Sequence, residues 1–427
     1  MAEAADAMAR FALLRSPPGR ELLGLLAEQS VTPDTALRLG TELRRRYPGD
    51  LVAAGIAQHE LRLQARAKFS RAMQMFFTRP GLEQSSSEVV ARHRAARYAS
   101  FERVADLCCG IGGDLLALAQ GRLVPARPVP IRPVPGRPVQ IRQVPGRRVL
   151  AVDRDLLHLR MAEANAEAYG VEHGVTTSAS DARDADLAGI EAVFVDPARR
   201  SSRRRMPAGE SEPPLRWCLD LAGQVAAVGI KAAPGIARDA VPEGWELEFV
   251  AVGRDLKEAT AWSPALATAA RRATILPEGH TLTPRPGAAV AVRTPGAFLL
   301  DPSPAVTRAG LVEELARMLG AWKIDEQIAF LSNDVTMDTP FGRTLRVIDS
   351  APWNQKQLPG RLRALDIGAA DIRRRGLAGD VDQLHRSLKL SGTQRATIVM
   401  TRVQDRPWGL ICLDVAAPPP QFHDHGI

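Results

Sequence analysis

No part of this chain limits its fold more than the stretch Asp106-Leu107-Cys108-Cys109-Gly110-Ile111-Gly112-Gly113-Asp114. It follows an apolar run at residues 104–107, which reads as a strand, and opens a helix over residues 114–120. A strand passing through a glycine-rich loop into a helix is the setting that a nucleotide-binding loop requires. Glycine permits the tight turn and lets the backbone approach a ligand that any Cβ would meet. Gly-x-Gly alone is weak evidence, but Asp153 strengthens it. That acid ends a second apolar run, residues 149–152, where a carboxylate can accept hydrogen bonds from both hydroxyls of a ribose. From Gly113 to Asp153 is 40 residues, and setting aside the 23-residue segment 124–146 leaves 17. The usual spacing is about 20, so the glycine loop and Asp153 fit one motif if that segment is an inserted loop.

The segment itself supports this. It repeats a theme, Arg127-Pro128-Val129-Pro130-Ile131 and then Arg132-Pro133-Val134-Pro135-Gly136. Such low-complexity, proline-rich sequence cannot bury a core and is expected to be extended or disordered. A role as a basic arm gripping phosphates is the alternative. Residues 124–148 also carry six arginines and no acid, out of a formal net charge of +8. The remainder is close to neutral, so global charge is weak support for a polyanionic partner.

Around the loop the chain alternates strands and helices. Strands are expected at residues 104–107, 148–153, 175–179, 191–196 and 228–231, with helices over 155–169 and 214–227. That alternation predicts a parallel α/β sheet with helices on both faces. Residues 245–252, 258–262 and 273–276 read as further strands closing the sheet, at least two of them antiparallel. Residues 1–100 read as a helical N-terminal domain, broken at Pro17-Pro18, Pro48-Gly49 and Arg79-Pro80-Gly81. The α/β domain is expected over 101–277. Residues 278–416 read as a small α+β domain, with a helix over 310–319 and then strand, helix and strands at 372–376, 381–390, 396–402 and 409–415. Residues 417–427 form a proline-rich tail. No run of 18 apolar residues occurs, which argues against a membrane span. The four cysteines, Cys108, Cys109, Cys218 and Cys412, form neither a disulfide framework nor a metal motif, so a reducing, cytoplasmic setting is expected. The eight histidines are scattered and give no metal site; His93 and His158 read as structural or surface residues.

Two further acids stand at expected strand ends. Asp181 could contact an adenine amine, or simply cap the segment that follows. Asp196 opens Asp196-Pro197-Ala198-Arg199-Arg200. By itself Asp-Pro is a turn after a strand. In company with the other three elements, its side-chain oxygen could hold a nucleophilic amine beside a reactive methyl group.

Together, residues 106–114, Asp153, Asp181, 196–199 and the upstream Phe77-Thr78-Arg79-Pro80-Gly81-Leu82-Glu83-Gln84 resemble the class I S-adenosylmethionine-dependent methyltransferases. More narrowly they resemble the bacterial group with a THUMP-like C-terminal domain, whose module resembles residues 371–376 and 388–392 here. The resemblance implies a Rossmann-like sheet, with Asp106, Gly110 and Gly112 lining the methionine end of S-adenosyl-L-methionine and Cys108, Gly113 and Asp114 beside them. It implies that Asp153, with Arg154, holds the ribose, and Asp181, with Ala182, the adenine. Phe77, Thr78 and Gln84 match a segment that closes over the cofactor in trimethylguanosine synthases. Asp196 and Pro197 match the (Asn/Asp)-Pro-Pro-aromatic motif of amino-group methylases, but Ala198 replaces the second proline and Arg199 the aromatic. A guanidinium can also stack on a base. The expected catalytic set is therefore Asp196, Pro197 and Arg199.

RNA, either tRNA or rRNA, is the expected acceptor, methylated at a base amine or ring nitrogen. Arg199, Arg200, Arg203, Arg204 and Arg205 follow the reacting turn and would draw phosphates to it. Arg373, Arg374 and Arg375 add a second cluster in the C-terminal domain. The plain alternative is that arginine-rich surfaces are simply solvated. Two other functions stay open: a small-molecule methyltransferase, and a non-catalytic RNA-binding protein on the same fold. Intact Gly110, Gly112, Asp153 and Asp196 speak against the second.

Overall fold

The computed structural model describes residues 2–28, 33–120, 122–125, 141–144, 146–198, 200–201, 204–205, 211–388 and 390–415. They form two compact units, Met1–Glu246 with Ala259–Thr268, and Leu247–Glu258 with Ala269–Ile427.

The first unit begins with helices α1 (Ala2–Arg15), α2 (Pro17–Ala27), α3 (Pro33–Leu43), α4 (Gly49–Ala65), α5 (Arg79–Gln84) and α6 (Glu88–Arg97). The prolines that break the helical pattern become helix starts. Pro17 opens α2 behind Ser16, whose hydroxyl accepts the Gly19 N–H. Thr78 does the same for α5, accepting from Gly81. The α/β part follows with β1 (Arg103–Leu107), α7 (Gly113–Ala119), β2 (Arg122–Pro125), β3 (Ile141–Val144), β4 (Arg148–Asp153), α8 (Leu156–Tyr169), β5 (Val175–Ala179) and β6 (Ala192–Val195). Then come β7 (Arg200–Ser201), β8 (Arg204–Arg205), α9 (Leu215–Asp220) and β9 (Ala227–Ala232). The ends of the expected insertion pair with each other as the antiparallel ribbon β2–β3, and its centre, residues 126–140, lies outside the described residues.

Strand order β9-β6-β1-β4-β5 is parallel throughout. The chain builds outward from β1 in one direction and then returns to build outward in the other. The order therefore reverses beside β1, and in such sheets ligands bind outside the carboxyl ends at the reversal. All four residues of β6 are buried, as a central parallel strand with both faces covered should be. Helices α7 and α8 pack on the sheet through Leu115, Leu118, Leu159 and Ala162, in one cluster with Val104, Val149, Phe194, Tyr98 and Trp262. A second cluster joins Leu22, Leu26, Phe69 and Phe77 of the N-terminal region to Ile111 and Met161. Arg147, counted above among the basic residues of the insertion region, is buried instead. It donates to the carbonyls of Ala95, Tyr98 and Leu118 at 2.8–3.1 Å, which adds a side-chain donor where α6 and α7 end.

The remaining strands are β10 (Glu246–Val252), β11 (Asp255–Trp262), β12 (Arg271–Leu276) and β13 (His280–Leu282). Ala259–Trp262 of β11 runs antiparallel to β9, β12 is parallel to β10, and β13 is antiparallel to β12. The second unit continues with β14 (Phe298–Pro302), α10 (Pro304–Ala309), α11 (Val312–Leu319), β15 (Trp322–Lys323), β16 (Leu331–Asn333), β17 (Gly342–Pro352), α12 (Leu358–Ala364), β18 (Ile367–Arg374), α13 (Val381–Ser387), β19 (Gln394–Val403) and β20 (Arg406–Asp414). Its seven-stranded sheet has the order β15-β16-β14-β17-β20-β19-β18, antiparallel except that β18 and β19 are parallel. The helix expected over 310–319 starts two residues later, because Gly310 takes φ +67° to end α10. Strands β14 to β17 have no counterpart in the sequence reading, being short or, in β17, lacking clean alternation.

Gly229 in β9 sits in close packing under the first sheet. A Cβ there would stand 2.2 Å from the Tyr98 hydroxyl and 2.7 Å from the Trp262 ring. That hydroxyl donates to the Val193 carbonyl at 3.0 Å and has little freedom to retreat. Gly229→Ala is expected to destabilise the fold by about 1–3 kcal/mol, measured as a lower urea midpoint at unchanged slope.

Candidate active site

At the carboxyl ends of β1, β4 and β6 the backbone brings four carboxylates together. Asp106 is paired in register with Ala151 on one side and Phe194 on the other. The Cys109 N–H donates to the Val152 carbonyl at 3.1 Å and the Asp196 N–H to the Leu107 carbonyl at 3.1 Å, so parallel pairing extends past the strand ends. Between them the loop turns through left-handed backbone at Cys108 (φ +62°), Gly110 (φ +53°) and Gly112 (φ +91°). Two glycines carry that geometry at no steric cost, whereas Cys108 is a position where it is strained. No atom lies within 4 Å of a Cβ built on Gly110, so the turn keeps open space there.

Asp153 fastens the loop. Its Oδ2 accepts the Gly110 N–H and its Oδ1 the Asp155 N–H, both at 2.8 Å. Each carboxylate oxygen retains a lone pair for a further donor. Asp155 caps α8 by accepting from Leu157 and His158. Asp106 is fully buried and neither of its carboxylate oxygens has a hydrogen-bond partner. Burial, and after it the charges of Asp114 and Asp196, push its pKa well above the usual carboxylate range. Burial likewise raises the Cys108 and Cys109 thiols, which makes both poor nucleophiles.

Two cations hold this crowd of acids together. Arg94 of α6, 1 % exposed, pairs with Asp114 at 2.5 Å, donates to the Ser86 hydroxyl at 2.5 Å and lies over the Phe194 ring. Lys231, at the end of β9, donates to Asp196 Oδ2 at 2.7 Å and to Ser86 Oγ at 3.1 Å. Neither cation nor Ser86 was singled out from sequence. A lone lysine ending an expected strand was the one available signal, and it gains meaning only once β9 lies beside β6.

The segment at residues 77–84 is also brought to the loop. Asn165 of α8 ties it there, accepting the Phe76 N–H at 2.7 Å and donating to the carbonyls of Phe76 (3.1 Å) and Ile111 (2.9 Å). Thr78 Oγ1 lies 2.8 Å from His158 Nε2. The Phe77 ring is buried beside Phe69, while Gln84 and Arg154 are exposed. Asp181 caps a short turn and accepts from the Arg183 guanidinium, which lowers its pKa. Ala182 behind it is buried. Pro197 is buried, and Ala198 is bridged to Glu212 through backbone bonds in both directions. Arg199 and Arg203 lie outside the described residues, and so do the side chains of Arg200, Arg204 and Arg205, whose backbones form the β7–β8 pair. In the second unit Arg373 is exposed, Arg374 donates to the Gly379 carbonyl, and Arg375 pairs with Asp301 at 2.7 Å over the Phe330 ring.

A parallel sheet that reverses its order beside a glycine loop, with an acid at the end of each central strand, defines a doubly wound α/β fold built to hold a nucleoside cofactor. Comparison with known proteins gives the family. Over 347 residues, 77% of this chain and 85% of the relative, it is 35% identical to an S-adenosylmethionine-dependent methyltransferase of Mycobacterium tuberculosis, strain H37Rv, and equally to its counterpart in strain CDC 1551. The chain belongs to the S-adenosylmethionine-dependent methyltransferases. The crystal structure of a protein from Porphyromonas gingivalis W83, assigned to the methyltransferases, shares the fold across 93% of this chain and 99% of its own, with a TM-score of 0.68 at 20% identity. Residues 342–413 match the family described as THUMP domain-like, and residues 6–65 match a domain of unknown function. The cofactor is S-adenosyl-L-methionine, and the site suits it: a buried carboxylate lacks partners at the strand end, beside a glycine turn with open space.

Breaking the Arg94–Asp114 pair tests how much the site depends on it. Arg94→Met strands a buried carboxylate and should cost about 3–5 kcal/mol. The double variant with Asp114→Leu should regain much of that in urea denaturation.

Proposed function

We propose that this methyltransferase modifies RNA, tRNA or rRNA, at a base amine or ring nitrogen, in the cytoplasm. The observation that carries the reading is the short β7–β8 pair, which begins only three residues after Pro197. Arg199, Arg200, Arg203, Arg204 and Arg205 thus follow the acceptor-side acid directly, and such a cluster draws a phosphate backbone toward it. The match of residues 342–413 to a THUMP-like family supports the same reading, with Arg373, Arg374 and Arg375 as the expected contacts in that unit.

The cofactor supplies a methyl group already activated on a sulfonium. In this reading the chain supplies position. Asp106, Cys108, Gly110, Gly112, Gly113 and Asp114 hold the methionine end, Asp153 and Arg154 the ribose, and Asp181 and Ala182 the adenine. Phe77, Thr78 and Gln84 cover it. Asp196, stiffened by Pro197, has Oδ2 engaged by Lys231 and offers Oδ1 to an N–H of the acceptor, while Arg199 stacks on the base. Alignment and exclusion of water then do most of the work.

Two variants separate these roles. Asp153→Ala should weaken S-adenosylmethionine binding about tenfold or more, roughly 1.4 kcal/mol, in calorimetric titration of a folded sample. Asp196→Ala should keep the affinity for the uncharged S-adenosylhomocysteine yet lose about 100-fold or more of the transfer of labelled methyl groups to total RNA. Full turnover in Asp196→Ala would refute the assignment, and wild-type protein that binds cofactor but labels no RNA would refute the acceptor class.

A further inference from the structure

The buried ammonium of Lys231 has no role in the reading above beyond touching Asp196, and its setting asks for one. Lysines at a sheet edge ordinarily run their stems along the surface and put the charge in water. This one is 8 % exposed and directs its ammonium inward, to Asp196 Oδ2 at 2.7 Å and Ser86 Oγ at 3.1 Å. Strand register makes the meeting inevitable. Val195 of β6 pairs with Ile230 of β9, so the next residues on each, Asp196 and Lys231, lie side by side.

Ser86 fixes the far side. Its oxygen also receives the Arg94 guanidinium at 2.5 Å, and two cationic donors use both lone pairs of a hydroxyl. Arg94 in turn is held by Asp114. A continuous chain, Asp114–Arg94–Ser86–Lys231–Asp196, therefore runs from the start of α7 to the acid after β6. Lys231 cannot swing away without leaving Ser86, and Asp196 cannot turn without leaving Lys231. The Asp196 side chain is 24 % exposed, so the carboxylate is clamped from below and open on its other side.

We infer that Lys231 is a positioning residue that holds Asp196 by one oxygen and balances its charge at the acceptor end of the cofactor site. This rests on the reading that Asp196 faces the reacting centre. Methyl transfer removes positive charge from sulfur. A bare carboxylate there would favour the cationic cofactor over the transition state, which is the wrong differential for catalysis. The Lys231 ammonium offsets that preference while leaving Asp196 Oδ1 available to orient the acceptor.

The test needs no acceptor. S-adenosylmethionine carries a sulfonium cation and S-adenosylhomocysteine a neutral thioether, so their affinity ratio reads the charge at that point. Calorimetry on the full chain should give a ratio shifted toward the cation by about threefold or more in Lys231→Met, and by a similar factor in Lys231→Gln, which keeps donors without charge. Lys231→Arg should stay near the wild-type ratio. Asp196→Asn, which leaves the ammonium unbalanced, should shift the ratio the other way, and adding Lys231→Met to it should bring the ratio back toward the wild-type value. If both ligands weaken alike in Lys231→Met and Lys231→Gln, the lysine is only structural and the inference falls. If Asp196→Asn moves the ratio and the lysine variants do not, the inference falls while the reading of Asp196 stands. If neither moves it, Asp196 does not face the reacting centre and both fall together.

Discussion

Carboxylates at the carboxyl ends of parallel strands repel one another, and this site places Asp106, Asp114, Asp153 and Asp196 close enough for their charges to be felt at Asp106. The arrangement holds because two buried cations, Arg94 and Lys231, meet on one serine hydroxyl and pair with Asp114 and Asp196, while backbone N–H groups hold Asp153. Buried ion pairs are poor sources of net stability, since desolvation cancels much of the attraction. Their value here is orientation. Each acid that meets a cation is held by one oxygen, and Asp106, which meets none directly, is pushed toward its neutral form.

That chain of contacts also explains why the helical N-terminal region belongs to the same compact unit as the sheet. Ser86 and Arg94 come from that region, and so does the segment Phe76–Gly81, tied by Asn165 to the carbonyl of Ile111 within the glycine loop. Gly81 leaves no room for a side chain, because a Cβ would stand 2.6 Å from Ile111 Cγ2. The helices therefore do more than cover one face of the sheet: they contribute the counter-charges and the wall of the candidate site.

The second unit follows different rules. Its seven-stranded sheet is largely antiparallel, with one core holding Phe330, Leu345 and Leu410 and another holding Leu358, Ile398 and Ile411. The arginines at 373–375, which look alike in sequence, are not alike in space. Arg375 is turned onto Asp301 and Phe330, whereas Arg373 is exposed. The strand ends at Arg374, so Arg375 falls outside its alternation and turns onto its own partners, and a run of one residue type does not make one patch.

What the sequence determined by itself was whatever depends on neighbours along the chain. The strand–glycine–helix passage at residues 104–114, the acids closing β4 and β6, and the alternation that makes the sheet parallel are local patterns, and each stands where the pattern put it. Helix starts at Ser16 and Thr78 were written in the same local code. The structure alone decided which distant residues meet. Lys231 is 35 residues from Asp196 along the chain and 2.7 Å from it in space, because β9 lies beside β6. Arg94 reaches Asp114 because α6 packs on α7. Strands β14 to β17 escaped the sequence reading for a related reason: their pairing comes from partners far along the chain, and their own residues alternate too little to announce it. Periodicity records which face of an element is buried; it does not record what lies against that face, and the counter-charges of this site are set by that alone.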